Sequence, residues 1–127
     1  MCSDSVLEAG LAVLDESDDC KRMPDEKLVI STAGSKEEAS RIATALVEGQ
    51  LAACVNIVGP IESVYRWQGK VDRAQEFLLL IKTTRSRTTA VMTQIRELHS
   101  YDLPEAIEVS IEGGSAEYLR WIADSVR

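Results

Sequence analysis

A chain of 127 residues with a formal net charge of −7 is long enough to bury one hydrophobic core without staples. It has no apolar run of the roughly eighteen residues needed to cross a membrane, and its acidity does not suit phosphate backbones, so neither membrane nor nucleic acid is expected as a partner. Three cysteines, Cys2, Cys20 and Cys54, share no short spacing, which argues against a disulfide framework or a zinc knuckle.

The chain opens with an acidic leader. Residues 1–27 carry eight acids against three bases, leaving a net of −2 for residues 28–127. With "DESDD" at its centre, the stretch 1–26 reads as a disordered or weakly helical leader, and 27–127 as a single domain. No basic and then apolar secretory pattern precedes it, so a cytoplasmic protein is expected.

"KLVISTA" (27–33) reads as a strand. Ser35 and Glu38 have capping-box spacing, and Ala39, Ile42, Ala43 and Leu46 follow at helical intervals up to a stop at Gly49. "LAACVNIV" (51–58) is apolar on both faces and predicts a strand that is broken at Gly59-Pro60 by a bulge or bend, with Cys54 as a small buried residue. "IESVYRWQ" resumes the extended pattern with Ser63, Tyr65 and Trp67 on one face. The chain turns at Gln68-Gly69-Lys70 and returns as a long strand, "VDRAQEFLLLIKT". A second helix runs from about Ser86 to His99 with Val91, Ile95 and Leu98 inward. "AIEVSIE" alternates strictly, predicting Ile107, Val109 and Ile111 inward and Glu108, Ser110 and Glu112 outward. Ser115 then caps a last helix bearing Tyr118, Ile122 and Val126.

The order β-α-β-β-α-β plus a C-terminal helix predicts an α+β, ferredoxin-like sandwich. Each limb of the central hairpin exceeds the usual strand length, so it overhangs the sheet, and such exposed edges invite pairing with another copy of the chain.

Taken together, "LAACVNIV", "SVYRWQGKV", "LLLIKTT" and "YDLPEAIEVSI" resemble the CutA family of divalent-cation tolerance proteins over residues 27–126. The resemblance implies a homotrimer built through the long hairpins, an architecture like the PII signalling trimers with clefts between subunits, and a role in divalent-metal, especially copper, tolerance. It brings no established reaction, and no required cofactor is expected; Cu(II) or another divalent cation is the expected ligand. The copper site it implies uses a first-strand cysteine, a histidine before Y-x-x-P-E and that motif's glutamate. Here the first position is Ser31, the second matches Leu98 with His99 one residue on, and only Glu105 is retained.

The residues themselves leave each candidate open. His99, the only histidine, is a metal ligand or a side chain bonding the free carbonyls of a helix end. Glu105, after Pro104, is a cleft carboxylate or a solvated one. Lys82 either snorkels to solvent, faces a cleft anion or pairs with Glu105 or Glu76. Tyr65 and Trp67 are interface packing or a ligand platform. Arg85 and Arg87 at a helix start are solvated arginines meeting acids elsewhere, or with free N–H groups they hold an anion. Lys82, Arg85 and Tyr101 would matter most if the protein is a PII-like signalling or scaffold trimer that binds a small anionic ligand or a partner protein. There is no phosphate-binding glycine loop, no nucleophile elbow and no second imidazole, so no enzyme is expected.

Overall fold

The computed structural model describes residues 25–127; the acidic leader expected at 1–26 lies almost entirely outside the described residues. The elements are β1 (Glu26–Ala33), α1 (Lys36–Glu48), β2 (Cys54–Trp67), β3 (Lys70–Thr84), a 3-10 turn (Arg85–Arg87), α2 (Thr88–Leu98), β4 (Ile107–Ser110) and α3 (Ala116–Ser125). The strands form one sheet in the order β2-β3-β1-β4, with every neighbouring pair antiparallel. This is the expected ferredoxin-like α+β arrangement.

Helix α1 starts where the Ser35 hydroxyl accepts the Glu38 N–H, at 3.1 Å. Its apolar stripe buries Ala39, Ile42, Ala43 and Leu46 against Val29, Leu79 and Ile81 of the sheet and Val91 and Ile95 of α2. These residues form the main core, on one face of the sheet. At the end of α1 the left-handed residue is Gln50 (φ 60) rather than Gly49 (φ −79). Leu51 and Ala52 still donate to the Leu46 carbonyl, so β2 begins at Cys54, three residues later than the apolar run implied.

In an antiparallel sheet, residues directly opposite share a face. Lys27, Val29, Ser31 and Ala33 of β1 face the α1–α2 layer with Thr83, Ile81, Leu79 and Phe77 of β3. The other face carries Leu28, Ile30 and Thr32 with Lys82, Leu80, Leu78 and Glu76. Cys54 belongs to this second face, opposite Lys82, and is half-buried rather than a core residue.

The alternation read in β4 holds, but its sense is inverted. Ile107 and Val109 pair with Ile30 and Leu28, away from the α1–α2 layer, and are 51% and 39% exposed. Ser110 and Glu108 lie on the other side, where the buried Lys27 ammonium donates to Ser110 Oγ (2.8 Å) and meets Glu108 Oε2 (3.6 Å). The reason is positional. β4 is an edge strand beyond the main core, and a buried lysine on β1 requires its polar residues. In α3, Ser115 caps and Ile122 and Val126 are buried as expected. Tyr118 is exposed and stacks on Trp121 with ring centroids 5.4 Å apart.

The hairpin limbs are 14 and 15 residues long. Their turn, Gln68-Gly69, has φ of 52° and 81°, the double left-handed geometry that matches strand twist and that only glycine adopts freely. The break expected at Gly59-Pro60 is a β-bulge: two residues of β2 lie between the Val58↔Leu78 and Ile61↔Glu76 pairs, opposite one of β3, and the peptide between them is cis. A Cβ on Gly59 would sit 2.6 Å from Phe77 Cδ2, so the bulge closes only over a glycine. Gly59→Ala is therefore expected to destabilise the fold by about 1–3 kcal/mol, as overpacking does, read from the midpoint of chemical denaturation.

Candidate functional site

The loop from α2 to β4 is held by one carboxylate. Glu38, in the first turn of α1, accepts Ser100 N–H at 2.6 Å and the Ser100 hydroxyl at 3.1 Å, and it lies 3.7 Å from His99 Nδ1. Burial alone would raise its pKa, but hydrogen bonds from the Ser100 backbone and side chain, with contributions from His99 and the Gly34 backbone, hold it below the usual glutamate value. The capping-box spacing therefore places Glu38 correctly on the helix while its side chain serves a residue 62 positions away.

His99 follows from this anchor. Its side chain is fully buried; Nε2–H donates to the Thr32 carbonyl (2.6 Å) and Nδ1 accepts the Tyr101 N–H (3.1 Å). Both ring nitrogens are occupied, so neither expected role holds. His99 has no lone pair free for a metal, and its ring bonds β1 rather than the end of α2. The terminal Leu98 carbonyl is taken instead by Arg41 of α1, at 3.0 Å. His99 is a strut between α2 and β1.

That strut aims Tyr101. Its ring lies 4.5 Å from that of His99, and its hydroxyl donates to Glu76 Oε2 at 2.8 Å. Burial, the hydrogen bond to Glu76 and the charge of that carboxylate push the phenol up to about 12, so Tyr101 acts as a donor.

Glu76, Tyr101 and Glu105 line one cleft of about 670 Å³ with Thr32, Tyr65 and Trp67. The bulge keeps Ser63, Tyr65 and Trp67 on the same side as Glu76, which is the face the alternation of β2 predicted. Asp102 and Leu103 complete the rim; neither carries a pattern that marks it in the sequence. The lining contains no lysine, arginine or histidine. Glu105 has its pKa raised by burial and then by the neighbouring Glu76 charge.

Two sequence candidates lie elsewhere. Lys82 hydrogen-bonds to Asn56 Oδ1 and sits 3.9 Å from Cys54 Sγ, so it pairs with neither Glu105 nor Glu76. Arg85 is in the 3-10 turn, with its Nε 3.9 Å from Asp25. The anion site expected at Arg85 and Arg87 is not assembled with the cleft: the 3-10 turn follows the C-terminal end of β3, near which Lys82 pairs opposite Cys54, and none of Lys82, Arg85 and Arg87 lines the cleft. Ser31, the position matching the family's first-strand cysteine, faces the core with Oγ unpartnered. Ser31 and Thr32 point to opposite faces of the sheet, so Ser31 cannot join Glu105 in this cleft. Nor do any three His, Cys, Asp or Glu side chains among the described residues group as a metal-ligand set. The three-ligand copper site does not fit one chain of this protein.

Residues 27–125 match the family described as CutA1 divalent ion tolerance protein. The chain belongs to the CutA1 family. It is 46% identical over 100 residues to the divalent-cation tolerance protein CutA of Thermus thermophilus, a match covering 79% of this chain and 97% of that one. It is 45% identical to the chloroplastic protein CutA 1 of rice (Oryza sativa subsp. japonica), where the match covers 79% of this chain and 56% of the relative. The crystal structure of rice CutA1 superposes with a TM-score of 0.80 at 43% identity, covering 83% of this chain and 96% of that one. CutA1 relatives are thus named for cation tolerance rather than for a reaction. No helix among the described residues is long and apolar enough to cross a membrane.

The two carboxylate environments make opposite demands on stability. The lowered pKa of Glu38 means that its stabilisation is present above the ordinary value of 4.5 and is lost as pH falls through the lower folded value. The raised pKa of Glu105 means that its ionised form costs stability above the folded value, a cost relieved as pH falls toward 4.5. At neutral pH, thermal melts are expected to show Glu38→Gln lowering Tm and Glu105→Gln raising it. Glu105→Gln should converge on the parent chain as pH falls to 4.5, and Glu38→Gln only as pH falls further, through the lower folded value of Glu38.

Proposed function

We propose that the protein acts in divalent-cation tolerance, copper included, by holding a hydrated divalent cation weakly at the Glu76–Glu105 end of the cleft. The observation that carries this reading is that Glu76 and Glu105 line one cleft whose lining offers no basic side chain, with the Glu105 carboxyl raised by burial and then by the Glu76 charge. Two carboxylates that repel each other in a half-buried setting gain most from a divalent counter-ion, which relieves both their repulsion and their lost hydration. Oxygen donors and retained water suit a loosely bound ion, not a thiolate–imidazole copper centre. The rival reading, a small anion bound in the manner of PII proteins, finds no cation in this cleft. No reaction is assigned, and a cytoplasmic site of action belongs to the same reading.

Calorimetric titration of Cu(II) into the full chain carrying Cys2→Ser and Cys20→Ser, which removes leader thiolates as competing ligands, tests it. Weak saturable binding that disappears in Glu105→Gln is expected. Binding unchanged by Glu105→Gln would overturn the site assignment.

Self-association into a homotrimer is the second part of the reading. Its support is the exposed Ile107 and Val109 on edge strand β4, Val58 on the same sheet face, and a hairpin too long for the sheet beneath it. Light scattering at micromolar concentration is expected to give a trimer for the parent chain and a smaller species for Ile107→Asp/Val109→Asp. These side chains are exposed in the single chain, so its helical circular dichroism should persist in the variant. A monomeric parent would sink this part.

A further inference from the structure

The geometry points to a ligand class that the carboxylates alone do not require: we propose that the cleft takes an organic ammonium cation with a short apolar stem, its charge on Glu76 and Glu105 and its stem against Tyr65 and Trp67. This does not rest on the metal reading, although the two share Glu76 and Glu105.

Size is the first ground. A cleft of about 670 Å³ is far larger than one hydrated ion and falls within the roughly 300–1,000 Å³ usual for small-molecule sites. Its walls are the second. Tyr65 and Trp67 line the cavity yet are 41% and 51% exposed in the chain, and Val64 and Leu103 add apolar surface beside them. A metal ion has no use for such rings, whereas their electron-rich faces attract an alkylammonium and their area desolvates its stem.

The third ground is the state of the acids. Glu76 is 8% exposed, and Tyr101 occupies only one of its oxygens; Oε1 accepts no hydrogen bond among the described residues. An ammonium group brings three donors and a charge to a carboxylate whose second oxygen has no protein donor. Tyr101, its phenol pushed up to about 12, keeps its proton and donates to Glu76 Oε2 alone. No basic side chain of the lining competes for the place. The acids also do not converge as a ligand set for a single ion, and Asp102 stands beside them. Two carboxylates lining a cleft that also holds aromatic rings suit an ammonium group with an apolar stem better than the tight shell of a metal.

The probe is 1,4-diaminobutane, titrated by calorimetry into the full chain at constant ionic strength, with magnesium chloride as the comparison. Saturable binding is expected, weakened by about tenfold or more in Glu105→Gln and in Glu76→Gln, a loss of one charge-assisted contact. Trp67→Ala should weaken diamine binding several-fold while leaving the magnesium response unchanged, because only the organic ligand uses the ring. Glu105 lies in a loop, so Glu105→Gln keeps the test sound if Glu76→Gln fails to fold. Absence of saturable heat at millimolar diamine, or an affinity unaltered by both Glu105→Gln and Trp67→Ala, would overturn the proposal. Copper binding without diamine binding would overturn it and leave the metal reading standing; diamine binding without copper binding would do the reverse.

Discussion

The Glu38 carboxylate, mostly buried at the start of α1, is the tie on which the cleft depends. By accepting the Ser100 backbone and hydroxyl it fixes the residue between His99 and Tyr101. With that point held, the His99 ring reaches the Thr32 carbonyl and the Tyr101 hydroxyl reaches Glu76. Hydrogen bonds to a charged acceptor are worth more than neutral ones, and leaving such a carboxylate buried without its donors would be costly. The loop from α2 to β4 thus behaves as part of the core although it contains no regular structure.

The sheet turns that local tie into a site. One face is closed by α1 and α2 around Val29, Leu79 and Ile81, which makes the backbone of β1 and β3 a rigid reference. The opposite face receives Thr32 and Glu76, and the bulge at Gly59-Pro60 keeps β2 in phase so that Tyr65 and Trp67 stand on that side too. Without the extra residue in β2, a one-residue slip would turn both rings to the other face. The cleft therefore exists because a rigid strand, an irregular strand and a pinned loop meet over the same few residues.

Much of this was legible in the sequence, and what was not has a physical pattern. Helical spacing identified the α1 stripe because it packs on a continuous surface, and Gln68-Gly69 marked the hairpin because few residues tolerate its backbone angles. Ser63, Tyr65 and Trp67 were assigned to one face by period-2 alternation, which strand geometry guarantees. The same rule could not tell which side of β4 faces the core, since alternation fixes phase but not sign, and Lys27 on a neighbouring strand decides the sign. The partners of His99 and Lys82 were not legible for a related reason. Thr32 and Asn56 are 67 and 26 residues away, and nothing in the local pattern names them. Glu38 shows the limit best: its spacing described a helix cap, while its energetic role lay across the fold.

The electrostatics of the cleft separate scaffold from site. Glu38 and Glu105 are both partly or wholly withdrawn from water, yet their pKa values move in opposite directions. The difference is one of donors. Glu38 is supplied with two hydrogen bonds from Ser100, so folding favours its ionised form, whereas Glu105 is withdrawn from water without such donors and then meets another carboxylate, so folding opposes its ionised form. A protein selected for stability alone would pair Glu105 or replace it. Glu105 instead lines a cleft with a tyrosine-pinned Glu76 and two aromatic rings, where no basic side chain of the lining offers a positive charge. On the reading proposed above, a bound cation would supply that charge.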